Sequence, residues 1–185
     1  MSSGSKTDGG GGIDALGEGG YALRFTGVGR LYGGAPAMRA LAAAHVCVVG
    51  IGGVGCWAAE ALARSGVGRL TLVDLDSVCV SNTNRQLHAL GGTVGRPKTE
   101  VLAERLRLIN PDLVVTEVQD FMDAGNVMDL LDDMDTPVGK LWTGAPLSCV
   151  VDGVDSLDDK AALLVAGTCP FRLLVQPQWR AASGG

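Results

Sequence analysis

The sequence is poor in aromatic residues and carries no excess of positive charge. Phe, Trp and Tyr make up 4% of the 185 residues, and the formal net charge is −5 at pH 7. Few aromatic rings leave little surface for stacking nucleic-acid bases, and a negative net charge argues against a broad basic face for phosphate backbones. We therefore do not expect a basic nucleic-acid-binding face within these residues.

Long apolar runs and paired cysteine motifs are also missing. No stretch approaches the roughly 20 apolar residues that cross a bilayer, so we expect no transmembrane segment. The five cysteines are odd in number and include no CxxC motif, which disfavours a disulfide framework and a four-thiolate zinc site. This cysteine usage suits a reducing compartment. We expect a cytoplasmic protein, with an organelle or a peripheral membrane location as the alternatives.

The first twenty residues differ in composition from the rest. Eight of them are glycine, so residues 1–20 bury too little apolar surface to offset their ordering entropy, and we predict a disordered tail. This segment lacks the apolar stretch of a secretory signal, and one Lys without Arg fits a transit peptide poorly. Residues 21–166 have the composition of one folded domain.

Strands and helices are predicted to alternate along this domain. Four short apolar runs predict strands: 45–50, 69–74, 114–118 and 149–151. Four further segments predict helices: 54–65, 98–109, 126–134 and 157–165. In the first helix, one face carries residues at helical spacing: Val54, Trp57, Ala58, Ala61, Leu62 and Ser65. The alternation predicts an α/β fold, Rossmann-like and doubly wound, with a mostly parallel sheet.

A GxGxxG motif at 50–55 follows the first predicted strand and opens the first predicted helix. In this context Gly50 allows a tight turn, and Gly52 lets the backbone approach a phosphate group at the helix N-terminus. Asp74 ends the second predicted strand, the usual place of a carboxylate that binds ribose hydroxyls. By themselves these features also fit a nicotinamide-dependent dehydrogenase.

Charged side chains near this motif argue for a triphosphate instead. Asp76 offers oxygen ligands that suit Mg²⁺, and Arg85 and Lys98 offer positive charge. Asp155 follows the fourth predicted strand, at the sheet edge where such folds gather ligands. Taken singly, Arg85 or Lys98 is more often a solvated charge, and Asp155 is more often a helix cap.

These motifs together resemble the E1-like adenylating superfamily, which includes the molybdopterin- and thiamine-pathway activators and the ubiquitin-activating enzymes. The sequence is most similar to the tRNA threonylcarbamoyladenosine dehydratase branch. The resemblance covers about residues 24–165 and rests on five segments: 24–33, 50–55, 74–86, 94–98 and 151–156.

The resemblance implies an activating-enzyme fold over 21–166 that uses ATP and Mg²⁺ to adenylate a carboxylate. In the most similar branch the reaction cyclises N6-threonylcarbamoyladenosine in tRNA with loss of water. The implied ATP-binding residues are Gly50, Gly52, Gly53, Gly55, Asp74, Asn82, Arg85, Gln86 and Lys98. Among these, Arg85 and Lys98 are implied to be catalytic, and the implied metal ligands are Asp155 and Asp76.

The resemblance also implies partners. Arg24 or Arg30 is implied to reach the active site of a second subunit, so a homodimer is expected, and the spacing does not decide between the two arginines. A sulfur-transfer or cysteine-desulfurase partner is implied as well. Cys56 lies beside the glycine motif, and we expect it to pack in the first helix rather than to react.

The sequence departs from the family pattern near its carboxyl end. Family members continue well beyond this chain, which is expected to be truncated, and residues 167–185 form an atypical tail. A change of reading frame or splicing near Gly167 is one interpretation, and a short paralogue with a new tail is the other. Two alternative functions stay open: an inactive nucleotide-binding and dimerisation module, and an activating enzyme for a ubiquitin-like protein from another branch.

Overall fold

Five parallel strands form one sheet at the centre of the protein. The computed structural model describes residues 20–135, 137, 139–141, 143–167 and 173–175. The strands are β1 (His45–Val49), β2 (Arg69–Val73), β3 (Val114–Val118), β4 (Cys149–Asp152) and β5 (Leu173–Val175). Their spatial order is β3-β2-β1-β4-β5, and every neighbouring pair is parallel. This arrangement confirms the predicted doubly wound sheet and its first four strands.

Helices surround the sheet. In the described residues they are α1 (Gly20–Arg24), α2 (Thr26–Tyr32), α3 (Ala35–Ala43), α4 (Gly55–Arg64), α5 (Lys98–Ile109), α6 (Val127–Asp135) and α7 (Leu157–Gly167). The four predicted helices are confirmed with small shifts at their ends. None of the described helices is both long enough and apolar enough to cross a membrane.

Two apolar layers cover the two faces of the sheet. In β1, Val46 and Val48 pack in the layer that contains α4 and α5, whereas Cys47 and Val49 pack in the layer with α6 and α7. All five residues of β1 are buried. Burial on both faces explains why β1 is apolar at every position from Val46 to Val49 instead of alternating with polar residues.

The face of α4 that packs on the sheet differs from the predicted one. Cys56, Ala59 and Ala63 are fully buried against the sheet, whereas Trp57 is 54% exposed. The face predicted from the spacing of Trp57 and its helical neighbours is therefore not the side of α4 that packs on the sheet. Small side chains occupy the core side because α4 starts directly after β1 and lies close to the sheet.

An ion-pair network joins α4 to α5. Glu60 is largely buried, and its carboxylate accepts hydrogen bonds from Arg105 Nε at 2.6 Å and from Arg64 Nε at 2.8 Å. Hydrogen bonding from Arg105 holds the pKa of Glu60 below its ordinary value, against the opposing effect of burial. The network fixes the packing of the two helices that cover one face of the sheet.

The first helices pack as an arm against the amino-terminal side of the domain. Tyr21, Phe25 and Met38 form a small buried cluster, and the Tyr21 hydroxyl donates to the carbonyl of Gly66 at 2.6 Å. Gly66 has a φ of +86°, and a Cβ on it would meet the Tyr21 hydroxyl and the Phe25 ring. Gly66, which follows α4, therefore has two roles. It adopts the positive φ of the turn after the helix, and it leaves space for the Tyr21 and Phe25 side chains to pack.

Strand β5 lies inside the segment 167–185 that the sequence analysis treats as an atypical tail. It pairs in parallel with β4, so that Leu174 lies opposite Val150. Three apolar residues predict no strand by themselves, and the free edge of β4 supplies the pairing. Apart from Gly167, which ends α7, the remaining residues of that segment lie outside the described residues. The predicted disordered tail does too, except for Gly20, which begins α1.

We expect Glu60→Gln to lower the free energy of unfolding by about 1–3 kcal/mol, because it removes a buried charged acceptor of two arginine hydrogen bonds. Urea unfolding at neutral pH measures this change. Glu104→Gln is the matched control on α5, since Glu104 pairs with Arg96 while its side chain is 54% exposed, and we expect little effect there. Equal losses in the two variants would contradict a special role for the Glu60 network.

Candidate functional site

The loops after β1 and β4 meet at the carboxyl edge of the sheet. The chain runs from β1 outward to β2 and β3, then returns to the other side of β1 as β4, which opens a crevice between these loops. At its base Gly50 has a φ of +78°, and a Cβ there would lie 2.9 Å from the carbonyl of Gly153. Gly153 N donates to the Val49 carbonyl at 2.7 Å. The floor of the crevice therefore requires glycine for its own packing.

Two further glycines of the motif serve different purposes. A Cβ on Gly55 would overlap the carbonyl oxygen of Gly50, so Gly55 lets α4 begin directly beside β1. A Cβ on Gly52 would meet only Gln86 Nε2, at 4.0 Å. No packing contact among the described residues explains glycine at position 52. An open concave backbone at a helix N-terminus is, however, what an approaching phosphate group requires.

Asp74 joins the glycine turn to the loop after β2. Its carboxylate accepts hydrogen bonds from the backbone N–H of Ile51 at 2.7 Å and of Asp76 at 2.9 Å. The side chain is only 9% exposed. Asp74 therefore fixes the positions of the two loops relative to each other. The ribose contact implied by the family resemblance stays a prediction.

Lys98 reaches the same place from the start of α5. Its ammonium lies 2.7 Å from Asp76 Oδ2 and 3.7 Å from Asp74 Oδ1, and its side chain is 7% exposed. The Lys98 backbone N–H also donates to the Asp76 carbonyl at 3.0 Å. The predicted cation thus lies next to Asp74, whose carboxylate binds the Ile51 N–H of the glycine turn, and the predicted metal ligand Asp76 is its ion-pair partner.

Arg85 borders the opposite side of the turn. Its Cγ and Cδ would lie 3.3 and 3.4 Å from a Cβ on Gly53, and its guanidinium donates to Ser81 O and Asn84 Oδ1, both at 3.0 Å. The Trp57 indole N–H donates to the Arg85 carbonyl at 3.0 Å. The exposed Trp57 on α4 therefore helps to hold the loop that carries the guanidinium.

Asn82 and Gln86 lie on the same loop, and the structure gives them different surroundings. Asn82 Oδ1 accepts from Cys79 N at 3.0 Å and closes the short 3₁₀ turn Val80–Asn82. Gln86 is 6% exposed and its Nε2 is directed toward Gly52. Asn82 is held by its own loop, whereas Gln86 lies at the edge of the crevice.

The carboxylates after β4 occupy two environments. Asp155 is exposed at the crevice edge. Asp152 is fully buried, and its carboxylate pairs with Lys160 at 3.0 Å and accepts from the Val154 N–H at 2.9 Å. Within the described residues, no group of three or more His, Cys, Asp and Glu side chains is arranged to hold a metal ion. Asp155 and Asp76 as magnesium ligands stay predictions.

The two candidate arginines lie in different settings. Arg24 pairs with Asp112 at 3.5 Å beside a cavity of about 550 Å³. Arg69 and Val114 also line this cavity and begin β2 and β3, so it lies at the amino edge of the sheet, away from the glycine turn. Arg30 is exposed on α2 and forms no ion pair within the described part of the chain. The structure therefore leaves Arg30 available to a second molecule.

Cys56 packs inside the domain, as expected. It is fully buried, and the Leu87 backbone N–H donates to its sulfur at 3.3 Å. Burial raises the pKa of the Cys56 thiol above its ordinary value, so the reactive thiolate is disfavoured.

Two buried residues near the site were missed by the sequence analysis. His88 is 1% exposed, and burial, together with the positive charge of Lys98, lowers its pKa from 6.5 to about 4. Thr99 is fully buried next to Lys98 on α5. The only sequence signal for a buried His88 is that it lies between apolar residues in the segment 87–90. The sequence around Thr99 gives no signal that its side chain is buried.

Comparison with known proteins identifies the family of this chain. Residues 28–170 match the ThiF family. The chain belongs to the ThiF family. It is 53% identical over 141 residues to the tRNA threonylcarbamoyladenosine dehydratase of Escherichia coli K12. The aligned region covers 76% of this chain and 48% of that protein. It is 46% identical over 144 residues to the enzyme of that name from Haemophilus influenzae, which covers 78% of this chain and 50% of that protein.

A solved ThiF-family structure shows the same fold. The Escherichia coli tRNA N6-threonylcarbamoyladenosine dehydratase in complex with ATP matches with a TM-score of 0.75 and 48% identity. The match covers 89% of this chain and 60% of that chain. This ThiF-family chain thus spans about half the length of the curated relatives it matches.

We expect the free energy of unfolding to fall as the pH drops from about 6.5 to about 4. In this range the unfolded chain binds a proton at His88 that the folded chain does not, so acid favours unfolding. Urea unfolding across this range, with wild type and His88→Leu compared, isolates the contribution. The variant should lose part of the pH dependence, and identical pH dependence would show that His88 is not held neutral.

Proposed function

We propose that this protein is an ATP-dependent adenylating enzyme that activates a carboxylate. The observation that carries the proposal is the open backbone at Gly52. In the same turn Gly53 faces the Arg85 side chain, and the Ile51 N–H donates to Asp74, which lies 3.7 Å from the Lys98 ammonium. Gly50, Gly55 and Gly153 have packing reasons to be glycine, whereas Gly52 has none within the part of the chain that the structure describes. A phosphate group explains this position, and the ATP complex of the related Escherichia coli enzyme supports the choice of nucleotide.

The proposed chemistry requires the protein to orient the carboxylate and ATP and to neutralise negative charge on the phosphates. A carboxylate is a poor acyl donor because its oxygen is a poor leaving group. Attack of a carboxylate oxygen on the α-phosphorus of ATP releases pyrophosphate and gives an acyl adenylate, from which AMP leaves readily. Backbone N–H groups of the turn and the charges of Arg85 and Lys98 would stabilise the developing negative charge.

The Lys98 ammonium is paired with the carboxylates of Asp74 and Asp76 in this structure. The Lys98 side chain is 7% exposed and its partner Asp76 is 60% exposed. A triphosphate would therefore replace the Asp76 carboxylate at the ammonium, with Asp76 turning into solvent, while Asp74 keeps its position. The donor set fits a Mg²⁺ ion that arrives with the nucleotide, because this ion is usually held by one or two carboxylates plus phosphate and water oxygens. Asp155 and Asp76 would hold it, and it would shield phosphate charge.

The substrate proposed for the whole protein is N6-threonylcarbamoyladenosine in tRNA. The names of the two dehydratase relatives support this choice. A tRNA-binding surface is not evident among the described residues, and the net charge of −5 supplies no broad basic face. We also propose the cytoplasm as location. A sulfur-transfer or cysteine-desulfurase partner stays a prediction from the resemblance.

A second function is a nucleotide-binding module without turnover. The observation that favours it is the closed Asp76–Lys98 pair, which holds the catalytic cation in the present structure. ATP binding without exchange of pyrophosphate would distinguish this module from an active adenylating enzyme.

We expect the purified chain to bind ATP and to exchange labelled pyrophosphate into ATP in the presence of a carboxylate substrate. Gly52→Ala should fold normally, since its Cβ has space, but should weaken ATP binding at least about tenfold because the methyl group fills the phosphate position. Gly55→Ala should instead destabilise the fold, because its Cβ would overlap the Gly50 carbonyl.

Calorimetric ATP titration and thermal unfolding separate these effects. Gly91→Ala is the control, since Gly91 is exposed and also has space for a Cβ, and it should change neither quantity. ATP binding by Gly52→Ala that equals wild type would contradict the proposed phosphate position.

We further propose a homodimer in which Arg30 of one subunit serves the site of the other. Arg30→Ala and Lys98→Ala should each lose pyrophosphate exchange. Mixing them should restore up to about a quarter of wild-type activity, because each mixed dimer has one site with both residues intact. Arg24→Ala should keep its activity and lose only the Asp112 ion pair. No recovery on mixing, with mixed dimers shown to form, would contradict the trans role of Arg30.

A further inference from the structure

Buried polar atoms without a hydrogen-bond partner are concentrated behind the crevice. Five such side-chain atoms occur in the described part of the protein. Three of them belong to Thr99, which follows Lys98 in the chain, and to His88, which lies within electrostatic range of Lys98, and a fourth belongs to Gln86, two residues before His88. These four atoms are Gln86 Oε1, His88 Nδ1, His88 Nε2 and Thr99 Oγ1. Leaving a buried polar group without a hydrogen-bond partner destabilises the fold, so such a concentration next to a proposed ligand site requires an explanation.

The backbone around His88 is firmly held. Its carbonyl accepts a hydrogen bond from the Thr93 hydroxyl at 2.7 Å, and its neighbour Ala89 packs with Val78 and Val101 in a separate apolar cluster. Val101 is on the first turns of α5, close to Thr99. The segment that carries Gln86 and His88 therefore packs against the same helix end that carries Lys98 and Thr99.

The unpaired atoms are complementary in hydrogen-bonding type. A neutral His88 offers one N–H donor and one acceptor nitrogen, the Thr99 hydroxyl can donate or accept, and Gln86 Oε1 only accepts. Burial and Lys98 both favour the neutral ring. A positively charged ring would offer two donors and no acceptor, and it would face the Lys98 ammonium.

Gln86 connects this cluster to the nucleotide site. Its Nε2 is 4.0 Å from a Cβ placed on Gly52, whereas its Oε1 is buried without a partner. An amide nitrogen can donate to phosphate oxygens, and an amide oxygen cannot. The orientation of the carboxamide therefore decides whether Gln86 attracts or repels a triphosphate.

We propose that His88 and Thr99 are positioning residues that fix the Gln86 carboxamide, through bridging water molecules, with its NH₂ group toward the triphosphate. A buried water molecule typically makes about three hydrogen bonds to groups that otherwise lack partners, which matches the atoms present here. This inference rests on the proposed function, since it concerns the binding of ATP at the glycine turn.

The positioning role predicts opposite effects on stability and on binding. Thr99→Val keeps the side-chain shape, and His88→Leu replaces a buried ring without partners by an apolar group. Both variants should be as stable as wild type or more stable at neutral pH. Both should bind ATP about tenfold more weakly, the equivalent of about one hydrogen bond of positioning, because the Gln86 carboxamide is free to turn.

The experiment is calorimetric titration with ATP and Mg²⁺, together with urea unfolding of each variant. Thr143→Val is the matched control, because Thr143 Oγ1 is also buried without a partner but lies in the loop before β4. It should be as stable as wild type or more stable, with unchanged ATP affinity. His88→Gln, which keeps a donor and an acceptor, should recover part of the affinity that His88→Leu loses.

A double-mutant cycle tests whether His88 acts through Gln86. Gln86→Ala should lower ATP affinity, and adding His88→Leu to it should cause almost no further loss. Additive losses would overturn the positioning role, and so would unchanged affinity in Thr99→Val and His88→Leu. If His88→Leu does not fold, Thr99→Val combined with Gln86→Ala decides by the same criterion. If wild type itself does not bind ATP, the proposed function fails and the positioning role fails with it.

Discussion

The Asp74 carboxylate is the interaction on which the site depends. It accepts the N–H of Ile51 from the glycine turn and the N–H of Asp76 from the next loop, and Lys98 lies within 3.7 Å of it. Hydrogen bonds to a largely buried carboxylate are strong and keep the donor groups in place. Three chain segments that are distant in sequence thereby converge on one point at the carboxyl edge of β1 and β2.

Glycine supports this convergence for two distinct reasons. Gly50, Gly55 and Gly153 permit close backbone packing at the switch point of the sheet, where a Cβ would overlap a neighbouring carbonyl. Gly52 instead leaves space open toward solvent. The distinction separates three glycines that are needed to fold the crevice from Gly52, which we propose makes room for a ligand.

Much of the fold could be predicted from the sequence. The apolar run of β1, the amphipathic spacing of α5 and the GxGxxG motif depend on local patterns, and the structure confirms each. The core side of α4 was less predictable, because alanines and Cys56 face the sheet while Trp57 packs beside Arg85. Strand β5 depends on the edge of β4, and the Asp152–Lys160 pair depends on how α7 returns to the sheet, so neither has a local signal.

The sequence by itself determined the α/β class, the glycine turn and the set of charged residues near it, since each follows from spacing along a single segment. Only the tertiary structure decided which partner each charge has. It placed Lys98 on Asp76, tied Arg24 to Asp112 at the far edge of the sheet and buried His88 and Thr99 behind the crevice. Such pairings depend on the packing of distant segments, because Coulomb interactions and desolvation act through space and not along the chain.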